Sequence, residues 1–185
     1  MLTTETKNKY TEKDYMLLEE GAPFQLINYD LIMSPSPTSK HQLISMKLTG
    51  FILDFLRNTN NKGLFLSAPM DVKLDDGNIF QPDLIYVTAE RKEKLLKDRI
   101  EGAPDLIIEI LSPANGYYDL RQKKDMYEKY GVAEYIIIDP LQLSVEIYVL
   151  KEALYVLDQK VKQPETFHST VLNGFSVELK ELFAQ

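Results

Sequence analysis

A carboxylate in the middle of an apolar strand is the residue of this chain that most demands a chemical explanation. Glu109 lies in DLIIEILSP, from Asp105 to Pro113, where Leu106, Ile107, Ile108, Ile110 and Leu111 read as a strand buried on both faces. A lone charge there costs several kcal/mol unless it is neutralised, paired or bound to a cation. Two segments offer partners: QPDLIYV sets Asp83 at the mouth of a second apolar strand, and the helix after Pro113 carries Lys123. Two carboxylates from different strands, completed by waters and substrate oxygens, are a usual way for a protein to hold Mg²⁺. A lysine beside them can hold a phosphate oxygen or activate water. These residue types point to metal-assisted phosphodiester chemistry, and a buried structural ion pair is the alternative use of the same residues.

Helix and strand geometry decides which charges can meet. At about 100° per residue, Leu120, Met126, Tyr127 and Tyr130 fall within one arc of roughly 120°, and Asp119 and Lys123 fall inside it. Both charges therefore point toward the sheet, whereas Arg121, Lys124, Asp125, Glu128 and Lys129 lie outside the arc. In the strand, Asp105 shares the face of Glu109 but stands about 13 Å along it, too far to chelate one ion jointly. Asp105 is expected to cap the start of the strand instead. Tyr127, one turn beyond Lys123, is expected in the core with its hydroxyl on a nearby polar group.

The elements that must position these residues follow from pattern. A weak capping box, Thr11 with Asp14, starts a helix expected over Thr11–Glu20. FQLINYDLIM reads as a hairpin bending at Asn28-Tyr29, and SPSPTS as a loop whose Ser39 caps a long core helix. In that helix Ile44, Leu48, Phe51 and Phe55 form the apolar stripe. Short strands are expected at 64–66, 71–74 and 84–87, with an Asp-Asp-Gly-Asn turn before the last, and a surface helix over 89–100. Then come the strand 105–111, a loop with Pro113 and Gly116, a helix 118–130 closed by Gly131, and the strand EYIIID. A hairpin over 143–150 and 153–158 follows, and a last short strand or helical turn ends near Phe183. This order predicts a mixed α/β (α+β) sheet flanked by helices, with additional antiparallel strands.

At 185 residues the chain has the length of a single domain, 1–185, one that buries roughly 70% of its unfolded surface. Its 44% hydrophobic and 26% charged residues are ordinary globular composition, and no apolar run is long enough for a membrane span. Residues 1–15 lack the apolar centre of a secretory signal, and zero cysteines exclude disulfides, thiolate zinc sites and cysteine nucleophiles, so a cytoplasmic location is expected. The net charge of −7 argues against a protein that coats DNA without regard to sequence, but not against a nuclease. Basic residues gather at 91–99 (RKEKLLKDR) and 121–129 (RQKKDMYEK), each read first as a solvated helix face.

QPD, GAPDLIIEILSP and DLRQKKDMYEKYGVAEYIIIDP, in that order, resemble the Uma2 (domain of unknown function 820) family, placed within the PD-(D/E)xK restriction-endonuclease-like superfamily. The resemblance runs from EEGAPFQLI through SPSPTSKHQ to VLNGFSVELKELF. It implies a restriction-endonuclease-like sheet core in which Asp83 is similar to the PD aspartate and Glu109 to the acidic residue of (D/E)xK. The third position of that motif is Leu111, so the strand lacks the lysine, and the family's lysine on the following helix matches Lys123. Departures are present: FQLINYD stands where the family commonly reads YELIDGE, so Gln25 replaces an accessory acid, although a glutamine carbonyl can still coordinate. Glu134-Tyr135-Ile136 replaces EYW, a packing change. His41 matches the family histidine after the proline-rich loop, with capping or packing as its other role.

The implied activity is hydrolysis of nucleic acid, DNA first, by an Mg²⁺- or Mn²⁺-dependent endonuclease. Asp83 and Glu109 would fix the metal, Lys123 would steady developing charge, Asp119 would position the lysine, and Gln25, His41 and Tyr127 would be accessory. A homodimer is expected by analogy with enzymes that cut two strands. The competing reading is a catalytically inactive dimeric module of the same fold. A two-carboxylate glycosidase finds no support in a chain with no Trp and no sugar-stacking pattern.

Overall fold

The computed structural model describes residues 9–19, 21–34, 36–112 and 117–184, and within 117–120 the backbone alone. A short helix α1 (Glu12–Tyr15) leads to the hairpin β1 (Phe24–Ile27) and β2 (Asp30–Met33), followed by the long helix α2 (Ser39–Asn58). Strands β3 (Leu64–Ser67), β4 (Val72–Asp75), β5 (Asn78–Phe80) and β6 (Leu84–Val87) precede helix α3 (Ala89–Leu95) and β7 (Ile100–Glu101). Then come β8 (Leu106–Ile110), helix α4 (Tyr117–Tyr130), β9 (Glu134–Asp139), and the hairpin β10 (Ser144–Lys151) and β11 (Leu154–Lys162). The chain closes with β12 (Thr166–His168), β13 (Ser176–Glu178) and α5 (Leu179–Phe183).

The central sheet has the order β11-β10-β9-β8-β6-β3. Its one parallel pair is β8 with β9, joined through α4, as a parallel pair must be joined by a crossover. Period two divides β8 between two cores. Leu106, Ile108 and Ile110 face α2 and pack with Ile44, Leu48, Ile52 and Leu56, whereas Ile107 packs with Tyr127 of α4 and with Val132 and Tyr135. Each fully buried Leu or Ile contributes roughly 1.5–3 kcal/mol relative to exposure. Glu109 lies on the α4 face. Gly131, at φ +84°, ends α4: its N–H and that of Val132 return to the carbonyls of Glu128 and Tyr127, a Schellman turn that aims the chain into β9.

A second sheet, β2-β1-β5-β4-β7, whose strands interleave along the chain with β3 and β6 of the first, carries Gln25. Its first hairpin turns through Asn28 and Tyr29, both at positive φ, the two-residue connection that matches strand twist. Gly77 permits the neighbouring turn, because a Cβ there would lie 2.6 Å from the Tyr29 ring.

Local expectations are corrected at four places. Helix α1 stops at Tyr15: Met16 and Leu17 are exposed, and Leu18 packs on Tyr15 and Leu26 from a turn rather than from a continued helix. Thr38, not Ser39, caps α2, accepting from the backbone N–H of His41 at 3.3 Å, and the buried stripe continues through Ile52 and Leu56 while Phe51 and Phe55 are only partly buried. Helix α3 ends at Leu95 because Leu96 turns into a bridge with Ile100. The three-residue strand β5 was not distinguished from its turn. Among the described residues no helix is long and apolar enough to cross a membrane.

Candidate active site

The QPD turn delivers Asp83 to the end of β6. The β6/β8 register pairs Leu84 with Ile108, and one further step places Asp83 across from Glu109. Asp83 Oδ2 accepts the backbone N–H of Ile110 at 2.7 Å, serving as the next rung of the ladder, and also accepts from His41 Nε2 at 3.1 Å. His41 reaches it from the first turn of α2, where Thr38 fixes that turn, and its Nδ1 is buried without a partner among the described residues. Asp83 is therefore held by a strand, a helix and its own proline-fixed turn.

Glu109 is 7% exposed and Lys123 3%. Lys123 Nζ and Tyr127 Oη, one helical turn apart on α4, both donate to the same oxygen, Glu109 Oε1, at 3.1 and 2.9 Å. The helical-arc expectation for Lys123 and Tyr127 is met in geometry. Burial is the largest influence on Glu109 and, with the nearby charge of Asp83, pushes its pKa up to about 7 against the opposing pull of Lys123 and Tyr127. The Tyr127 hydroxyl is raised well above its ordinary value by burial and by the negative charge of Glu109. For His41 burial pulls downward, but the hydrogen bond and charge of Asp83 outweigh it and leave the imidazole more basic than usual.

The donor set suits a hard divalent cation. Both hydrogen bonds to Asp83 fall on Oδ2 and both to Glu109 fall on Oε1, so Asp83 Oδ1 and Glu109 Oε2 receive no donor from the described residues. Two carboxylate oxygens without a donor from the described residues, from two neighbouring strand positions, are the kind of oxygen ligand Mg²⁺ takes, with waters filling its remaining positions. Among the described residues no group of three or more His, Asp or Glu is arranged for a metal, so a cation here would rest on this pair.

The other residues singled out in the sequence fall in different places. Gln25 Oε1 accepts the backbone N–H of Gln81 at 3.0 Å and its Nε2 donates to Ser34 Oγ at 2.6 Å, so both ends of the side chain brace the QPD turn. Asp105 accepts from the Thr88 N–H at 2.8 Å and pairs with Arg91 at 2.7 Å, tying the start of β8 to the start of α3. The side chain of Asp119 lies outside the described residues. A second buried carboxylate is not distinguished by pattern alone: Glu134, fully buried at the start of β9, accepts from Ser169 Oγ at 2.5 Å and from the N–H groups of Thr170 and Val171 at 2.8 and 3.1 Å. The signal that marks Glu109, an acid in an apolar strand, marks Glu134 equally.

The architecture is a mixed α+β fold, with mixed sheets flanked by helices. The same fold occurs in a crystal structure described as "a putative nuclease belonging to DUF820" from Anabaena variabilis ATCC 29413, with a TM-score of 0.78, 20% identity, and coverage of 94% of this chain and 97% of that one. The chain belongs to the Uma2 family, described as "Putative restriction endonuclease", whose pattern matches residues 12–180. No curated protein matches the chain.

Proposed function

We propose that this chain is a divalent-metal-dependent endonuclease that hydrolyses phosphodiester bonds in DNA. The observation that carries the proposal is the convergence of Asp83, Glu109 and Lys123, from two strands and a helix, with one oxygen of each carboxylate left open. Asp83 Oδ1 and Glu109 Oε2 would hold the cation. Bound there, Mg²⁺ or Mn²⁺ supplies the positive charge that polarises the scissile phosphate and acidifies the attacking water.

The remaining chemistry belongs to the side chains. Lys123, fixed by Glu109 at 3.1 Å, keeps a positive charge at the edge of the site, where negative charge builds on the phosphate oxygens in the transition state. Tyr127 holds Glu109 Oε1, which leaves the other oxygen to face the reaction. His41 does the same for Asp83, and Gln25 steadies the turn behind it. The carboxyl of Glu109, pushed up to about 7, gives up its proton when a cation binds, so metal affinity rises with pH through neutrality.

Calorimetric titration with Mg²⁺ and Mn²⁺, alongside plasmid cleavage, tests the proposal. Saturable binding is expected in the wild type and lost in Asp83→Asn and Glu109→Gln. Lys123→Met is expected to keep the metal and lose cleavage by about 100-fold or more, the scale of removing one preorganised charge. Metal affinity equal in all four proteins, with no cleavage by the wild type, would leave the Glu109–Lys123 pair as a structural ion pair.

A further inference from the structure

Two cations of α4 lie beside the candidate centre without a task in it. Arg121 and Lys124 line a cavity of about 340 Å³ whose floor is Leu111, Ile137 and the ring of Tyr148. The sheet register connects this cavity to the centre, since Glu109 pairs with Ile137 and Ile137 with Glu146. At roughly 4.8 Å per strand, the cavity floor begins about 5 Å from the Glu109 position and ends about 10 Å from it.

The charges around the cavity are unequally committed. Asp139 Oδ1 accepts the N–H groups of Leu141 and Gln142 at 2.8 and 2.9 Å, and Glu146 is paired with Lys160 at 2.8 Å and receives the Tyr148 hydroxyl at 2.8 Å. Arg121 is exposed and has no hydrogen bond or ion pair among the described residues. Lys124 lies 3.7 Å from the Tyr148 ring centroid, a cation–π contact that steers its ammonium along the cavity wall, where it also attracts the carboxylate of Glu146 without forming an ion pair with it. A chain of net charge −7 thus presents Arg121, with no ion pair among the described residues, and Lys124, whose acidic neighbour Glu146 is already paired with Lys160, over Leu111, Ile137 and Tyr148 next to the carboxylate pair.

We propose that this cavity seats one unpaired nucleotide adjoining the scissile phosphate, with Arg121 and Lys124 on its phosphates and Leu111, Ile137 and Tyr148 beneath its sugar and base. This rests on the nuclease reading and sharpens it. The volume, at the low end of the roughly 300–1,000 Å³ typical of ligand clefts, admits a single nucleotide and excludes a duplex. The substrate class is therefore nucleic acid that is single-stranded, or frayed, on one side of the cut.

The test is fluorescence anisotropy with a short mixed-sequence DNA strand and the duplex of the same sequence, in EDTA so that binding is read without cleavage. Wild type is expected to prefer the single strand. Arg121→Ala with Lys124→Ala should weaken single-strand binding about tenfold or more and reduce the salt dependence of log K by about 1.4, the value for two lost phosphate contacts. Lys92→Ala with Lys94→Ala on α3 makes the same charge change away from the cavity and should stay within about twofold. Equal weakening in the two double variants, or a duplex bound as tightly as the single strand, overturns the cavity assignment. If Asp83→Asn abolishes cleavage in Mg²⁺ while the α4 variant binds and cuts like wild type, only the cavity assignment falls. Wild-type protein that neither binds nor cuts any nucleic acid overturns both.

Discussion

Replacing Glu109 with glutamine tests whether this carboxylate is first a buried acid or first half of an ion pair. Its folded pKa is raised from the ordinary 4.5 to about 7, chiefly by burial. Between those values the native protein keeps a proton that the unfolded chain has released, so stability falls as pH rises through the window and is constant above it. At roughly 1.4 kcal/mol per tenfold change in proton affinity, the full effect is about 3 kcal/mol, of which about 2–3 kcal/mol develops between pH 5 and pH 8. Glutamine keeps the shape and an acceptor for Lys123 and Tyr127 but has no proton to lose. Urea unfolding of both proteins in EDTA should show Glu109→Gln gaining about 2–3 kcal/mol relative to wild type on going from pH 5 to pH 8. Because Glu109 is one of the charges that raise His41, the same comparison is repeated in the His41→Asn background to remove the histidine from the difference. A constant difference, or a variant that loses ground as pH rises, would show that attraction to Lys123 outweighs desolvation and that the carboxylate is ionised throughout.

Three further outcomes follow from the same contacts. Lys123→Met should destabilise the metal-free protein by about 3–5 kcal/mol at pH 8, where Glu109 is ionised without its cation, and by much less at pH 5; urea midpoints at the two pH values measure this. His41 is more basic folded than unfolded, so it contributes stability that is complete below its unfolded value of 6.5 and is lost as pH climbs through the raised folded value. His41→Asn should remove that part of the loss above pH 6.5, which thermal melts across pH 6–9 would show as a flatter curve. Glu134→Ala strips acceptors from Ser169, Thr170 and Val171 and should cost about 2–4 kcal/mol with metal affinity unchanged, read by urea unfolding and calorimetry.

Pattern made the central strands and α4 legible because each satisfies a single period. The five residues of β8 are buried, and Lys123 and Tyr127 fall on the arc that the 3.6-residue repeat assigns them. What escaped depends on contacts distant in sequence. Whether α1 runs past Tyr15 depends on what Met16 and Leu17 could bury against, and α3 ends because Ile100 pairs with β4. Gln25 illustrates the limit at the site itself. Its type admits metal coordination, and only the position of Gln81, 56 residues later, shows its carbonyl engaged by a backbone N–H. The cavity beside α4 was hidden for the same reason: Arg121 and Lys124 look like a solvated helix face until β10 brings Tyr148 beneath them.

Glu109 and Glu134 then separate two fates of one sequence signal. Both are acids of apolar strands, Glu109 inside β8 and Glu134 at the start of β9; both are buried, and the two strands are neighbours in one sheet. Glu134 accepts three hydrogen bonds, spread over both oxygens, from a hydroxyl and two backbone N–H groups of a single turn, so its donors cannot leave without unfolding that turn. Among the described residues Glu109 accepts only from the ends of two side chains, both on one oxygen, and its other oxygen receives no donor from them. The two donors on Glu109 do not offset its burial, and its pKa stays raised to about 7. A structural acid has its charge met by the protein alone. An acid met on one oxygen only by the described residues, beside a second carboxylate, is the one whose substitution should change metal binding as well as stability.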